Sequence, residues 1–369
     1  MKALELYIHI PFCVRKCKYC DFLSGPASGA AQERYVESLC REISSYKNPA
    51  KAYRVVSIFL GGGTPSVLKA EQTKRIFDVI HKTFTLDKDV EVTTELNPGT
   101  VDEDKLCAYK ECGINRLSIG LQSTNDEELR ELGRIHTYDE FLHTYTLARK
   151  MGFTNINVDL MSALPGQTLK DWEDNLRRVV ELSPEHISAY SLIIEEGTPF
   201  YEKYKEHEEL LPDEETERRM YWRTEKILKA HGYVHYEISN YAKEKKECRH
   251  NVGYWERTPY IGIGSGAASL FENTRFSYEA SLMELKVAER EQLSVKEQME
   301  ETMFLGLRMM KGVGREKFYE TFGETLEDVY GDTIENLKKE GLLDEKNGRI
   351  LLTRRGIDIS NYVMSEFLQ

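Results

Sequence analysis

The sequence predicts an α/β fold: an open (βα)6 three-quarter TIM-like barrel followed by a C-terminal winged-helix-like α+β domain. Three observations point there. A strand-then-helix alternation repeats six times over roughly the first 195 residues. Polar side chains able to do chemistry, Glu95, Gln122 and Asp159, fall at or near the carboxyl ends of successive expected strands, with Arg134 beyond the fourth. From about residue 294 the pattern changes to helices and one hairpin.

The expected strands cover 4–10, 55–60, 90–95, 116–121, 156–161 and 186–194. Most are short, apolar and rich in β-branched residues, as strands covered on both faces should be. Amphipathic helical patterns lie between them at 31–46, 69–84, 102–112, 138–151 and 169–182, and Gly113 and Gly152 stop two of these. Such a series predicts a parallel sheet with right-handed crossovers. Six units are too few to close an eight-fold barrel. A flat doubly wound sheet would put Glu95, Gln122 and Asp159 on both sides of a switch point, where they could not converge. A barrel gathers them on one rim, at the carboxyl ends of its strands.

A long polar helix is expected at 213–231 and a strand at 234–241. The Gly-x-Gly-x-Gly within the stretch Tyr260 to Ser269 is weak as a dinucleotide fingerprint, because no clear helix follows it. Helices at 295–309, 314–322 and 334–340 precede a hairpin over 342–352, whose Asn347-Gly348 is a strong turn signal, and a last helix. The expected division is a barrel over 1–240, a connecting segment over 241–290 and the C-terminal domain over 291–369.

Of the 369 residues, 40 % are apolar, enough for a substantial core, while 50 basic and 62 acidic side chains leave a net charge of −12. That balance argues against a broad electrostatic grip on nucleic acid or anionic lipid. The basic run from Lys243 to Arg249 is interleaved with Glu244 and Glu247 and reads as a solvated loop. Winged-helix domains often bind DNA, but the acidic composition points to packing or partner binding instead. The opening residues lack the apolar core of a signal peptide, and no run of eighteen apolar residues suggests a membrane span. Seven cysteines, three of them within eight residues, read as a metal site in a reducing compartment and not as a disulfide framework. A soluble, cytoplasmic protein is expected.

Cys13, Cys17 and Cys20 follow the first strand as Cys-x3-Cys-x2-Cys. Three thiolates so spaced can hold an iron–sulfur cube and leave its fourth iron without a protein ligand. A structural zinc would need a fourth ligand, which neither His9 nor Asp21 is well placed to supply. Gly61-Gly62-Gly63-Thr64-Pro65, straight after the second strand, permits close backbone approach to a ligand, or makes a tight turn. Cys40, Cys107 and Cys112 lie on helices, where small buried hydrophobes are the default. Cys248, two residues from His250, leaves a metal role open. His250-Asn-Val-Gly-Tyr-Trp255 puts an imidazole beside two large aromatics: a packed residue, or a porphyrin clamp of axial ligand and stacking ring.

Tyr7-Ile-His-Ile-Pro-Phe-Cys13 together with Tyr19-Cys20-Asp21-Phe22 resembles the opening of the radical S-adenosylmethionine (SAM) proteins related to oxygen-independent coproporphyrinogen III oxidase. The resemblance runs over nearly the whole chain and is nearest to their haem-chaperone branch. It implies a [4Fe-4S] cluster on Cys13, Cys17 and Cys20 whose open iron is chelated by the amino and carboxylate groups of SAM. Gly62, Gly63 and Thr64 match the segment that meets the SAM amino group. Tyr7, Tyr19, Glu95, Gln122, Arg134 and Asp159 are assigned to SAM by position, with backbone at Ile193 and Ala268. Carboxylates suit ribose hydroxyls or the sulfonium, and Arg134 suits a bidentate pair with the SAM carboxylate. His250 is implied as the ligand of a haem iron, the haem being cargo for a recipient apo-haemoprotein, and no residue is implied as catalytic.

The alternative within the same resemblance is the oxygen-independent coproporphyrinogen III dehydrogenase, which abstracts hydrogen from propionate side chains with a 5′-deoxyadenosyl radical. That branch carries a further cysteine two residues after the third, where this chain has Phe22. It also has a long segment ahead of the cluster, for which Cys13 is expected to leave no room. The His250 to Trp255 motif belongs to the chaperone branch. A DNA-binding sensor is disfavoured by the acidic charge and by the full set of rim residues.

Overall fold

Strict alternation of side chains along six apolar strands gives this sheet two unlike faces. The computed structural model describes residues 1–281 and 285–368. Strands β1 (Lys2–Ile10), β2 (Tyr53–Gly62), β3 (Leu86–Leu96), β4 (Arg116–Gln122), β5 (Ile156–Ser162) and β6 (His186–Ser191) lie side by side in chain order, every pair parallel. Leu4, Leu6 and Ile8 of β1, Ile58 and Leu60 of β2, Leu117 and Ile119 of β4 and Val158 and Leu160 of β5 are buried in one apolar core. Helices α1 (Gly29–Ser45), α2 (Ala70–Thr83), α3 (Glu103–Glu111), α4 (Asp126–Leu132), α5 (Tyr138–Lys150) and α6 (Leu169–Glu181) occupy the crossovers. Thr137 with Glu140 and Thr168 with Asp171 form capping boxes that fix where α5 and α6 begin. The intervening positions of the strands, including Glu5, Ser57, Glu91, Arg116, Asn157 and His186, are polar and buried.

The barrel stays open because both outer edges are used for other strands. After α7 (Pro199–Tyr204) and α8 (Glu214–Ala230), strands β7 (Val234–Glu237) and β8 (Asn240–Ala242) form a hairpin whose β8 pairs antiparallel with β6. Helix α9 (Arg249–Trp255) follows, and then β9 (Tyr260–Ile263) pairs parallel with β1. Strands β10 (Ala268–Phe271), β11 (Thr274–Tyr278) and β12 (Val287–Gln292) extend that edge antiparallel.

Several expectations are corrected here. The strand expected over 234–241 is a hairpin, turning at Ile238 and Ser239, with the buried Glu237 carboxylate accepting from the Ser239 amide at 3.1 Å. The sixth strand ends at Ser191, so Ile193 lies in the loop beyond it, 66 % exposed. Residues 241–290, expected as a connector, supply strands to the barrel sheet. The Gly-rich stretch forms β9 and β10 and no phosphate loop. Helix α4 was not expected. Of the helix cysteines, Cys107 is exposed and Cys40 half-buried, leaving only Cys112 in the core.

The C-terminal domain comprises α10 (Val295–Gly306), β13 (Val313–Gly314), α11 (Arg315–Phe322), α12 (Leu326–Lys339), β14 (Leu343–Lys346), β15 (Arg349–Leu352), α13 (Arg354–Asp358) and α14 (Ser360–Ser365). Its strands order as β13-β15-β14 over a separate core built on Met303, Phe318, Leu326 and Ile350. Asn347 and Gly348 both take positive φ, 52° and 70°, as the two-residue hairpin turn requires. Among the described residues no helix is long and apolar enough to cross a membrane.

Near the amino ends of the strands the barrel interior is closed by α9. The Ser57 hydroxyl donates to Glu5 Oε1 at 2.9 Å and lies 2.8 Å from His250 Nδ1. A Cβ on Gly253 would sit 2.1 Å from the Glu5 carboxylate, so only glycine lets the helix seat this deeply. Burial, reinforced by the charges of Glu91 and Glu256 and opposed by the Ser57 hydrogen bond, raises the Glu5 carboxyl from its ordinary 4.5 to about 9. With the folded value above the unfolded one, the neutral acid's contribution to stability is complete below pH 4.5. It is lost as pH rises toward about 9. Glu5→Gln, neutral throughout, should therefore flatten the decline in urea-denaturation stability across that window. An unaltered pH slope would show that Glu5 is ionised in the folded chain.

Candidate functional site

At the opposite end, the carboxyl ends of the strands surround a cavity of about 140 Å³. Cys13, Cys17 and Cys20 line one side of it, on the loop after β1. That loop is tied down at several points. The Cys13 amide donates to the Gly25 carbonyl at 3.0 Å, and the Lys18 amide to that of Leu132 at 3.0 Å. Arg15 Nη2 reaches the Gly133 carbonyl at 2.8 Å. Thr64 Oγ1 lies 3.3 Å from Cys13 Sγ, and Arg134 Nη1 donates to Cys17 Sγ at 3.6 Å. Burial pushes the Cys20 thiol above its ordinary range. Among the described residues, no three His, Cys, Asp or Glu side chains converge on a single ion position. His9, weighed as a fourth ligand, is occupied on both nitrogens, with the Tyr7 hydroxyl at 3.0 Å and the Leu23 carbonyl at 3.0 Å.

The glycines after β2 are required by closeness. Gly62 has φ +110°, and a Cβ there would lie 2.4 Å from the His9 ring. A Cβ on Gly63 would lie 2.6 Å from the Phe12 carbonyl oxygen. The Gly62 amide donates to Glu95 Oε2 at 3.1 Å.

Glu95 and Asp159 are two half-buried carboxyls facing one space. Burial first, and then the charge of Asp159, lifts Glu95 to about 8. Asp159 is also raised by burial, although Asn157 donates to its Oδ1 at 2.7 Å. Arg134 follows α4, whose Gly133 cap turns the chain back over the rim. Its Nη2 donates to Asn97 Oδ1 at 2.7 Å and to the Gly120 carbonyl at 2.5 Å, while its Nε is buried without a partner. Gln122 takes φ 74° and accepts from the Tyr190 hydroxyl at 2.9 Å. Such a backbone is costly for a non-glycine residue and concentrates at functional sites.

The cavity thus brings together Cys13, Cys17, Cys20, Tyr19, Gly62, Gly63, Thr64, Glu95, Gln122, Arg134 and Asp159. It does not include Tyr7, Ile193 or Ala268. Tyr7 turns its hydroxyl to His9, and Ala268 is exposed at the start of β10. Sequence reasoning missed Asn97, Ser118 and Tyr190. Asn97 bridges Arg134 and Thr64, donating to the latter at 2.9 Å. Its place one residue past β3 was the available signal.

His250 is elsewhere, at the closed end. It is 1 % exposed, and burial drives its ring to about 3. With Ser57 donating to Glu5, the imidazole carries its proton on Nδ1, and Nε2 accepts from the Tyr254 hydroxyl at 2.9 Å. The expected open axial ligand is therefore not present in this conformation: both nitrogens are engaged, because His250 and Tyr254 stand one helical turn apart. Cys248 is likewise buried, with its thiol 3.7 Å from Glu91 Oε1.

A cysteine triad and a glycine turn on the rim of an open parallel barrel define a radical SAM protein, and the family model described as "Radical SAM superfamily" matches residues 7–179. A second, "HemN C-terminal domain", matches residues 293–359. Proteins named "Heme chaperone HemW" from Bacillus subtilis (strain 168) and Escherichia coli (strain K12) are 36 % and 34 % identical to this chain. The first alignment covers 98 % of both chains; the second covers 100 % of this chain and 99 % of the relative. The chain belongs to the HemW family of radical SAM proteins. In fold it matches the solved coproporphyrinogen III oxidase (HemN) of Escherichia coli with a TM-score of 0.85 at 23 % identity, over 99 % of this chain and 90 % of that one.

Because Gly62 combines a left-handed backbone with a close neighbour, Gly62→Ala should destabilise the chain by about 1–3 kcal/mol, a range covering strain and overpacking. A denaturation midpoint equal to that of the parent would show that His9 moves aside freely.

Proposed function

We propose that this chain is a cytoplasmic haem-binding chaperone that carries a [4Fe-4S] cluster on Cys13, Cys17 and Cys20 and binds SAM at the barrel rim, passing haem to an apo-haemoprotein. The observation that carries the reading is the single cavity shared by three free thiols, two half-buried carboxyls and Arg134. The donor set fits. Three thiols line the cavity without converging on one ion position, which suits a group wider than a single metal ion. The unpartnered Arg134 Nε offers a donor to a carboxylate. The cluster, when bound, supplies an open iron for chelation and an electron.

In this reading Gly62, Gly63 and Thr64 admit the SAM amino group against bare backbone. Arg134 orients its carboxylate, and Glu95, Gln122 and Asp159 take its ribose and sulfonium, with Tyr19 covering one side. Tyr7 supports the site through His9, while Ile193 and Ala268 contribute only if the rim closes further over the ligand. The relatives' name supports haem as cargo. Ligation of haem iron by His250 requires Nε2 to part from the Tyr254 hydroxyl, a rotation of the Tyr254 side chain within α9.

Anaerobic reconstitution should load about four irons per chain, and Cys17→Ala should abolish this. Asp159→Ala should weaken SAM binding in equilibrium dialysis and leave iron content unchanged. Full iron retention without Cys17, or unchanged SAM affinity in both Asp159→Ala and Arg134→Ala, would sink the assignment.

Added haem should give a Soret band that shifts or weakens in His250→Ala while iron–sulfur content holds. Coproporphyrinogen with SAM and a reductant should yield no protoporphyrinogen; appearance of that product would replace the chaperone with the dehydrogenase.

A further inference from the structure

A second cavity, of about 240 Å³, separates the end of α9 from the C-terminal domain. Trp255, Met309, Val313 and Phe318 form its apolar wall. Arg257, Lys311, Lys317 and Arg349 stand around it with one carboxylate, Glu256, which pairs with both lysines. Helical geometry explains why α9 reaches this cleft at all. Trp255 is five residues past His250, about 140° around the helix, so the two residues serve opposite sides.

Three donors in this wall lack a matching acceptor or counter-charge. The Arg257 side chain is only 10 % exposed; its Nε binds Glu301 at 2.8 Å, yet its Nη2 is buried without a partner. Glu301 is shared with Arg275, so one carboxylate faces two guanidiniums. The indole N–H of Trp255 is also buried without an acceptor. Arg349 is fixed by the carbonyls of Lys311 and Gly312, both at 2.7 Å, neither of which carries a compensating charge. Leaving buried donors unpaired is unfavourable by about 1–3 kcal/mol each. A charged fork held rigid by two carbonyls is arranged in advance for a carboxylate.

The volume sets the ligand's size. At about 240 Å³ the cleft falls below the roughly 300–1,000 Å³ that encloses a drug-sized molecule. It therefore admits a small group or one edge of a larger molecule. We propose that this cleft binds the carboxylate edge of an amphipathic anion and, resting on the reading above of haem as cargo, that it grips the propionates of haem at a position separate from the His250 side of α9. The ring edge lies on Trp255, Met309 and Phe318, and the propionates meet Arg257, Arg349 and the indole N–H.

The full chain is titrated with haem and with haem dimethyl ester, which is the same macrocycle without carboxylate charge, and binding is followed by Soret absorbance. The parent should bind haem about tenfold more tightly than the ester, the yield of one charge-assisted hydrogen bond. Arg349→Gln and Arg257→Gln should each bring that ratio toward one with ester binding little changed. Lys317→Glu, at a side chain 62 % exposed, changes the same field without disturbing the core and should also weaken haem selectively. Equal affinity of the parent for haem and ester, or a ratio that persists in all three variants, would overturn the cleft while haem binding itself stands. If the parent binds no haem, the haem reading fails and the propionate assignment with it.

Discussion

Every barrel strand turns polar side chains inward, and those groups must be satisfied without water. A fully apolar interior would tolerate any plug; this one does not. At the amino ends of the strands much of the demand is met internally, although Glu5 Oε2 and Arg116 Nε stay unpaired. Glu5, Ser57, Glu91, Asn157 and His186 find partners in α9, the β7–β8 hairpin and one another. At the carboxyl ends it is met only in part. Arg134 Nε has no partner, and burial and the charge of Asp159 raise the Glu95 carboxyl well above its ordinary range.

This division recasts the motif running from His250 to Trp255. Its histidine, its glycine and its tyrosine are explained by the closed end: the imidazole bridges Ser57 and Tyr254, and Gly253 clears the Glu5 carboxylate. The tryptophan is not, since its ring packs outward under the Arg308 guanidinium, 4.3 Å from the ring centre. A seven-residue helix thus joins the barrel floor to the cleft beside the C-terminal domain.

Much of this was legible in the sequence, where local chemistry dictated it. The six strands follow from runs of branched apolar residues, the hairpin turn from Asn347-Gly348, and the rim from polar residues at strand ends. Elements of short length or mixed pattern were not legible. Helix α4 spans only seven residues, and the β7–β8 turn hides within an alternating run that reads as one strand. The fate of His250 was beyond reach for another reason. Its Nδ1 partner, Ser57, is 193 residues away in the chain, and no local pattern encodes that pairing. Asn97 escaped because it lies one residue past its strand, although it connects Thr64 to Arg134.

The position of β1 has a consequence for how the chain reaches this state. The first strand made is not an edge strand: one side pairs with β2, and the other with β9, so that Glu5 lies against Tyr260. During synthesis at about 5–20 residues per second, that second side stays open for on the order of 10–50 s. Through that interval an apolar strand, followed at once by three free thiols, presents unpaired backbone groups able to template other strands. Closing so long a loop also slows folding, since the entropy of the intervening chain is surrendered before the contact returns anything. That interval closes only once β9 has been made, more than two-thirds of the way along the chain.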